Sequence, residues 1–321
     1  MKNHMLSIST AYNIKKHQCW GSLADETCGM GFDAVELNVE IPENWLKDIE
    51  SSVAAGKISI SSVHNFCPKL TNLPKGRTIY SGFMLTSPDK EERNSAIDLT
   101  GRSIELAARF GAGAVVLHAG SVPMEITGSD LYEYAVKFGR HGMLFEKYRD
   151  SVINDRDAGA AKHIENLMFS LERCLETASK HNVTLCLENR MYFHEIPNID
   201  ETLYLLDKFR GGPLAYWHDV GHAEVFVRLG LAKNHEFFLE KLSPSMAGMH
   251  LHDIKKFDDH FAPGSGEFDF DILKKYISPE TIKVMEVHSK ASRTDIEEAK
   301  KCLLKAGIVS HDAFRRAECQ N

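Results

Sequence analysis

Four side chains of the kinds that bind metal ions or move protons stand at the ends of four β-like runs. They are Glu188 in NVTLCLENR, Asp219 in LAYWHDVGH, His250 in MAGMHLHDIK and Glu286 in TIKVMEVHS. A carboxylate at the end of a buried strand is costly unless a cation or a hydrogen-bond donor pairs with it. If the four strand ends converge, three carboxylates and one imidazole form a pocket for a divalent cation such as Mn, Zn, Co or Mg.

Eight β-like runs alternate with helix-like stretches, which is typical of a parallel sheet. Eight units favour closure into a single (β/α)8 TIM barrel, whose strands converge at the C-terminal face that carries active sites. An open doubly wound sheet is the alternative, but no GxGxxG follows the first run, which weakens it. The predicted strands are 5–10, 34–39, 58–66, 114–118, 183–188, 214–218, 246–252 and 282–287. The predicted helices are 19–29, 43–55, 90–110, 163–181, 198–209, 234–241, 269–276 and 293–306.

Local signals mark several helix ends. Asp200 and Ser292 precede helix-like stretches and are interpreted as helix starts, and Asp271 is interpreted as a helix cap. Gly111 is predicted to end the helix before the fourth strand.

Two connections are much longer than the others. Residues 67–89 follow the third predicted strand and residues 119–162 follow the fourth, so both leave the C-terminal face. Long loops in compact domains are commonly lids or binding loops. The spacing in LYEYAVKFGRHGMLFEKYRDSV predicts that 119–162 is a helical insertion on that face. We therefore expect one barrel domain over residues 1–321.

The composition limits the classes of function. The net charge of -7 gives no general attraction to nucleic acid or to an anionic membrane. No apolar run is long enough for a signal peptide or a membrane span. The seven cysteines show no CxxC pairing, which indicates reduced thiols and a cytoplasmic protein.

More histidines and acids gather at the same strand ends. A single histidine there is more often a hydrogen-bonded structural residue than a ligand, and His218, His252 and His288 are interpreted in that way. Gly264-Ser265-Gly266 is interpreted as a turn, because GxG alone is weak evidence for a phosphate site. The remaining members of the group are His64, His118, His222, Asp258 and His260.

The motifs H-x-F, VLHAG, LEN, HDVGH, MHLHD, DxHxxPGSG and MEV together resemble the xylose-isomerase-like TIM barrels, from the first strand to the eighth. That superfamily includes sugar (phosphate) isomerases and epimerases, inosose dehydratases and type-IV apurinic endonucleases. In the epimerase branch, the resemblance implies one metal ion at Glu188, Asp219, His250 and Glu286. It also implies that Glu188 and Glu286 are the acid/base pair and that His222 contacts the substrate.

The endonuclease branch implies two further metal ions. One would be held by His64 and His118 with Glu188 bridging, and the other by His222, Asp258 and His260. These five residues outside the first site are therefore predicted as additional metal or substrate ligands.

We favour a divalent-metal-dependent sugar or sugar-phosphate isomerase or epimerase that acts on carbohydrate through a metal-stabilised enediolate. The alternatives are a multinuclear zinc phosphoesterase of the apurinic endonuclease type, or a sugar or inosose dehydratase. The acidic chain makes a nucleic-acid partner the weaker hypothesis. A small sugar-like substrate is expected, with no membrane partner, and the resemblance is compatible with a homo-oligomer.

Overall fold

The computed structural model describes residues 6–79 and 82–310. The first half of the chain forms β1 (Leu6–Ser9), α1 (Trp20–Gly29), β2 (Ala34–Leu37), α2 (Leu46–Ala54), β3 (Ser59–His64), α3 (Lys90–Phe110), β4 (Ala114–Leu117), β5 (Gly120–Ser121), α4 (Gly128–Phe138) and α5 (Met143–His181). The second half forms β6 (Thr184–Glu188), β7 (Glu195–Ile196), α6 (Ile199–Lys208), β8 (Leu214–Asp219), α7 (Val220–Arg228), α8 (Glu236–Leu242), β9 (Met246–Leu251), β10 (Asp253–Lys255), β11 (Asp258–Phe261), β12 (Ile282–Met285) and α9 (Arg293–Lys305).

Eight parallel strands within the described ranges close into a barrel in the order β1-β12-β9-β8-β6-β4-β3-β2. The first and last of them pair with each other, with Leu6 opposite Lys283. The predicted (β/α)8 barrel is therefore confirmed, and each predicted strand overlaps one barrel strand. The predicted start of the first strand, Met5, lies outside the described residues.

The alternation of side chains along each strand separates the barrel interior from the layer beneath the helices. Cys186, Trp217 and Val284 pack together inside the barrel. Gly248 on β9 leaves the space that the indole needs, because a Cβ there would lie 2.2 Å from the Trp217 ring. The next inward positions toward the C-terminal face carry polar side chains, which places them above an apolar floor.

The helices differ from the prediction in three places. α7 was not predicted, and it begins where the Asp219 side chain accepts a hydrogen bond from the backbone N–H of His222. α5 is one continuous helix of 39 residues, so the predicted helix 163–181 is its C-terminal half and the insertion 119–162 runs into it. The predicted helix 269–276 is a 3-10 helix over Phe270–Lys275.

Two predicted caps were also wrong. Asn198 caps α6 through a reciprocal capping box with Glu201, so Asp200 lies in the first turn. Asp269 caps the 3-10 helix, and Asp271 follows it inside the first turn. The other two predictions are confirmed, since Ser292 caps α9 and Gly111 ends α3 in the left-handed conformation.

Two small antiparallel pairs organise the loops above the barrel. β5 pairs with β7, which ties the segment after β4 to the segment after β6. β10 pairs with β11 in a hairpin that follows β9. Within the described ranges, the six cysteines 19, 28, 67, 174, 186 and 302 are free thiols. No helix in that part of the chain is long and apolar enough to cross a membrane.

Candidate metal centre

A polar cluster lies at the C-terminal end of the barrel, centred on His250. Its Nδ1 atom is 2.9 Å from Oε1 of Glu188, 3.0 Å from Oε2 of Glu286 and 3.5 Å from Oδ2 of Asp219. Glu188 ends β6, Asp219 ends β8 and Glu286 follows β12. Each of the four residues offers a ligand atom within 4.8 Å of the others. The structure therefore brings together all four residues that the sequence predicted for the metal site.

Two of the carboxylates are held in their charged form by neighbouring cations and hydrogen-bond donors. Burial alone would raise the pKa of Glu188, but the Arg190 guanidinium and the hydrogen bonds from His118 and His250 bring that pKa well below its ordinary value. Burial likewise opposes ionisation of Glu286, and the neighbouring imidazoles of His250 and His260 lower its pKa. Both glutamates are consequently ionised at neutral pH, which a proton acceptor requires.

The third carboxylate, Asp219, is fixed from both sides. Burial raises its pKa, whereas His222 and His252 lower it well below the ordinary value. Its backbone N–H donates to Oδ1 of Asn189 at 2.8 Å, and the Asn189 amide donates back to the Asp219 carbonyl at 2.9 Å. Asn189, which follows Glu188 directly, thus holds the end of β8 against the end of β6.

The second nitrogen of His250 contacts a buried carboxylate that sequence reasoning missed. Nε2 lies 3.1 Å from Oε1 and 3.2 Å from Oε2 of Glu36 on β2, and the Ser62 hydroxyl donates to Oε2 at 2.8 Å. Burial lowers the pKa of His250, but Glu286 and Glu36 raise it well above its usual value. The available signal was a charged residue at an inward position of the apolar run AVEL.

A second group surrounds the other oxygen of Glu188. Nε2 of His118 lies 2.8 Å from Oε2, and Nε2 of His64 lies 3.9 Å from it. Arg190 donates from its guanidinium to the same Oε2 atom and also to Glu195. Burial, together with Arg190 and His64, lowers the pKa of His118 to about 4, so its imidazole is neutral. Arg190 was also missed, although LENR places it two residues after the strand end.

A third group lies on the opposite side of the centre. Nε2 of His222 is 3.8 Å from Oδ2 of Asp259, and Nδ1 of His260 is 2.8 Å from Oδ1 of the same carboxylate. The sequence predicted Asp258 in this place, but Asp258 is exposed on β11. His260 has a positive φ of 59°, which breaks the two-residue alternation that would pair it with Asp258. Asp259 is therefore the acid that the structure brings to this group.

The histidines that were interpreted as structural have defined contacts. Nδ1 of His252 accepts from the backbone N–H of His260 at 2.9 Å, so Nε2 carries the proton that faces Asp219 at 3.0 Å. His218 lies outside the cluster, between Tyr216 and His235. His288 stacks on His260 with ring centroids 3.9 Å apart. The Gly264 and Gly266 amides both donate to Asp253, as expected for a turn rather than a phosphate site.

The comparisons with known proteins agree with this fold. A family model described as a xylose isomerase-like TIM barrel matches residues 25–306. The chain belongs to this family. No curated protein matches it in sequence.

Several solved structures share the barrel of this family. A D-tagatose 3-epimerase-like protein aligns over 95% of this chain and 97% of its own length, with a TM-score of 0.65 and 18% identity. D-psicose 3-epimerase with D-tagatose from Clostridium cellulolyticum H10 aligns over 95% and 99%, with a TM-score of 0.66 and 11% identity. An L-ribulose 3-epimerase aligns over 98% and 97%, with a TM-score of 0.62 and 16% identity. At these identities the likeness concerns the fold.

The donor set of this family member fits a divalent cation. Glu36, Glu188, Asp219 and Glu286 are all buried in or next to the cluster, and among the described residues Arg190 is the one lysine or arginine that forms an ion pair with any of them. A buried excess of carboxylates is costly unless a cation balances it. Oxygen and imidazole ligands of this kind suit Mn, Zn, Co or Mg. A cavity of about 320 Å³, lined by both catalytic candidates Glu188 and Glu286, leads to this cluster.

Proposed function

We propose that the protein is a divalent-metal-dependent sugar or sugar-phosphate isomerase or epimerase. The observation that carries this proposal is the position of Glu188 and Glu286, whose oxygens lie 2.9 Å and 3.0 Å from the same Nδ1 atom of His250. Two ionised carboxylates thus border one cavity from β6 and from the end of β12. Among the solved structures that share this fold are epimerases whose names give ketoses as their substrates. This supports a sugar substrate.

The chemistry proposed is proton transfer next to a carbonyl. A divalent ion held by Glu188, Asp219, His250 and Glu286 would stabilise the oxyanion of an enediolate electrostatically. One glutamate removes the carbon-bound proton, and the other returns it to the opposite face or to the adjacent carbon. His118 and His222 line the same cavity, where they bind substrate hydroxyls.

Two alternatives use the same residues. A multinuclear zinc phosphoesterase would need metal ions in the group of His64, His118 and Glu188 and in the group of His222, Asp259 and His260, and both groups offer suitable ligand atoms. The Arg190 guanidinium already contacts the Glu188 oxygen in the first group, which disfavours a second cation there. A dehydratase would share the enediolate step.

The test is the exchange of carbon-bound hydrogen with solvent. The protein is loaded with Mn²⁺ and incubated with D-fructose or D-tagatose in D2O, and deuterium incorporation is followed by NMR. Glu286→Gln should abolish incorporation, because it removes one of the two acid/base groups and one charged metal ligand but keeps the shape. Glu240→Gln, at an exposed position of α8, is the matched control.

Metal content by elemental mass spectrometry is measured on the same samples. About one ion per chain is expected for the isomerase or epimerase, whereas two or three zinc ions would favour the phosphoesterase. Exchange that persists in Glu286→Gln would contradict the proposed acid/base pair. Exchange that survives complete removal of metal by a chelator would contradict the metal dependence.

A further inference from the structure

A second cavity of about 310 Å³ adjoins the cavity at the metal centre. The two cavities share His118 and Arg190 in their linings, so they meet at these side chains. At the volume of liquid water, each has room for about ten water molecules, close to the size of one monosaccharide. One sugar ring at the metal centre would therefore leave the second cavity unfilled.

Two walls of this second cavity, those at β5 and β7, are fixed by the fold. Ser121 on β5 pairs in register with Glu195 on β7, which joins two of the walls. Arg156 of α5 is 1% exposed and donates to the carbonyls of Phe193 at 3.1 Å and Glu195 at 3.3 Å, and its guanidinium also binds the carboxylate of Glu201. These two walls of the chamber are therefore braced against each other and against α5.

The lining combines aromatic faces with a few polar groups. Phe66, Phe83 and Tyr192 present rings, and Ser121 and His194 present hydrogen-bonding atoms. Cavities of this composition hold organic ligands by apolar contact and orient them by their few polar groups. A sugar ring, with apolar C–H faces and hydroxyl edges, matches both kinds of surface.

The charges of the lining favour a neutral group over a phosphate. Arg77 is paired with Glu92 at 3.3 Å, and Arg190 is paired with Glu195 at 3.1 Å as well as with Glu188. Burial lowers the pKa of His194, which keeps its imidazole neutral at pH 7. Each guanidinium of the chamber thus has a carboxylate partner, whereas a phosphate site needs cations that exceed the acids around them.

We propose that the substrate carries a second neutral group of about the size of a sugar ring, as in a disaccharide or glycoside, and that this group occupies the second cavity while the reacting ring lies at the metal centre. The placement of the reacting ring rests on the function proposed above. The placement of the second group rests on the cavity, on its aromatic lining and on the pairing of its charged residues.

Equilibrium binding tests this inference without requiring turnover. Calorimetry compares D-fructose with three disaccharides in which a second sugar is joined to fructose through different hydroxyls: lactulose, turanose and isomaltulose. D-fructose 6-phosphate is measured beside them. We expect at least one disaccharide to bind about tenfold or more tightly than fructose, and the phosphate to bind no more tightly than fructose. Equal or weaker binding of all three disaccharides, or tightest binding of the phosphate, would overturn the inference.

Blocking variants locate the second group. Ser121→Trp fills the chamber from β5 and should reduce the affinity for the preferred disaccharide to that for fructose. Ser129→Trp fills it from the first turn of α4 and serves if the first variant does not fold, as judged by thermal melting. Ser179→Trp, exposed near the end of α5, is the control. If both blocking variants bind the disaccharide as tightly as the control does, the second group lies elsewhere.

The two proposals fail in different ways. If the protein prefers a disaccharide in binding but exchanges no carbon-bound hydrogen of any sugar, the proposed reaction is wrong and the inference stands. If fructose undergoes metal-dependent exchange but the disaccharides bind no better, only the inference is wrong.

Discussion

Replacement of Glu36 should weaken metal binding although Glu36 is not a predicted ligand. Its carboxylate lies 3.1 Å from Nε2 of His250, and Nδ1 of the same ring faces the three acids of the cluster. A histidine that binds metal through one nitrogen commonly donates from the other to a carboxylate, which orients the ring and raises its basicity. Loss of such a partner costs about 10–100-fold in metal affinity.

Two variants separate the contribution of the Glu36 charge from that of its hydrogen bond. In Glu36→Gln the amide oxygen still accepts from Nε2 of His250, so only the charge is lost, and we expect a loss of about tenfold, or about 1.4 kcal/mol. Glu36→Leu also removes the acceptor for His250 and the carboxylate to which the Ser62 hydroxyl donates. For that variant we expect a loss near 100-fold, or about 2.7 kcal/mol.

The assay is calorimetric titration of metal-free protein with Mn²⁺ in two buffers of different ionisation enthalpy, which also counts the protons released. Glu286 and Glu36 raise the pKa of His250 well above its usual value, so at pH 7 metal must displace a proton from the wild-type ring. Glu36→Gln should release fewer protons and should lose more affinity at high pH than at low pH. Unchanged affinity and proton release in both variants, with Glu240→Gln as the control, would refute this account of His250.

Three other perturbations have expected outcomes. Arg156→Met should lower the free energy of unfolding in urea by about 3–5 kcal/mol because it leaves the Glu201 carboxylate without its buried partner. Arg156→Met/Glu201→Gln removes that charge but keeps the acceptor of the capping box, so it should recover part of the loss; a small loss in the single variant would contradict the bracing role. Burial and His235 keep the pKa of His218 well below 6.5, so the unfolded chain binds a proton there that the folded chain does not. The free energy of unfolding of the wild type should therefore exceed that of His218→Gln by less and less below pH 6.5, by up to about 1.4 kcal/mol per pH unit. If the difference between these two free energies stays constant from pH 7.5 to 5, His218 is not neutral in the folded protein. If His64 and His118 bind substrate, the double variant His64→Ala/His118→Ala should keep the wild-type metal content while its KM rises. A lower metal content in elemental analysis would identify these residues as ligands of a second ion.

The sequence was sufficient for the barrel and for the convergence of Glu188, Asp219, His250 and Glu286. Both follow from local patterns, namely the β/α alternation and the polar residue at the inward position that ends each strand. Asp258, which the resemblance implied as a ligand beside His222 and His260, is exposed, and Asp259 lies in that place, next to His260 with its positive φ. α7 was missed because its N-cap, Asp219, and a residue of its first turn, His222, were interpreted only as site residues.

The contacts of Glu36 and Arg190 were beyond local patterns for a different reason. β2 and β9 are not neighbours in the sheet, so the contact between Glu36 and His250 exists only because the barrel closes and brings inward side chains across its interior. Arg190 lies after the end of β6, where the path of the loop, fixed by Glu195 and the pairing of β7, decides the direction of the side chain. No spacing in the sequence encodes either of these contacts.

The two oxygens of Glu188 have different surroundings, and this difference bears on how many cations the site takes. Oε1 lies 2.9 Å from His250, within the group of four predicted ligands. Oε2 lies 2.8 Å from His118 and accepts from Arg190, a permanent cation that is itself paired with Glu195. A metal ion between His64 and His118 would have to approach that guanidinium against its charge. The same arrangement suits a neutral sugar. At the junction of the two cavities His118 is uncharged, and the charge of Arg190 is offset by Glu188 and Glu195. The position of Arg190 thus favours one metal ion and an extended sugar substrate over a cluster of ions around a phosphate.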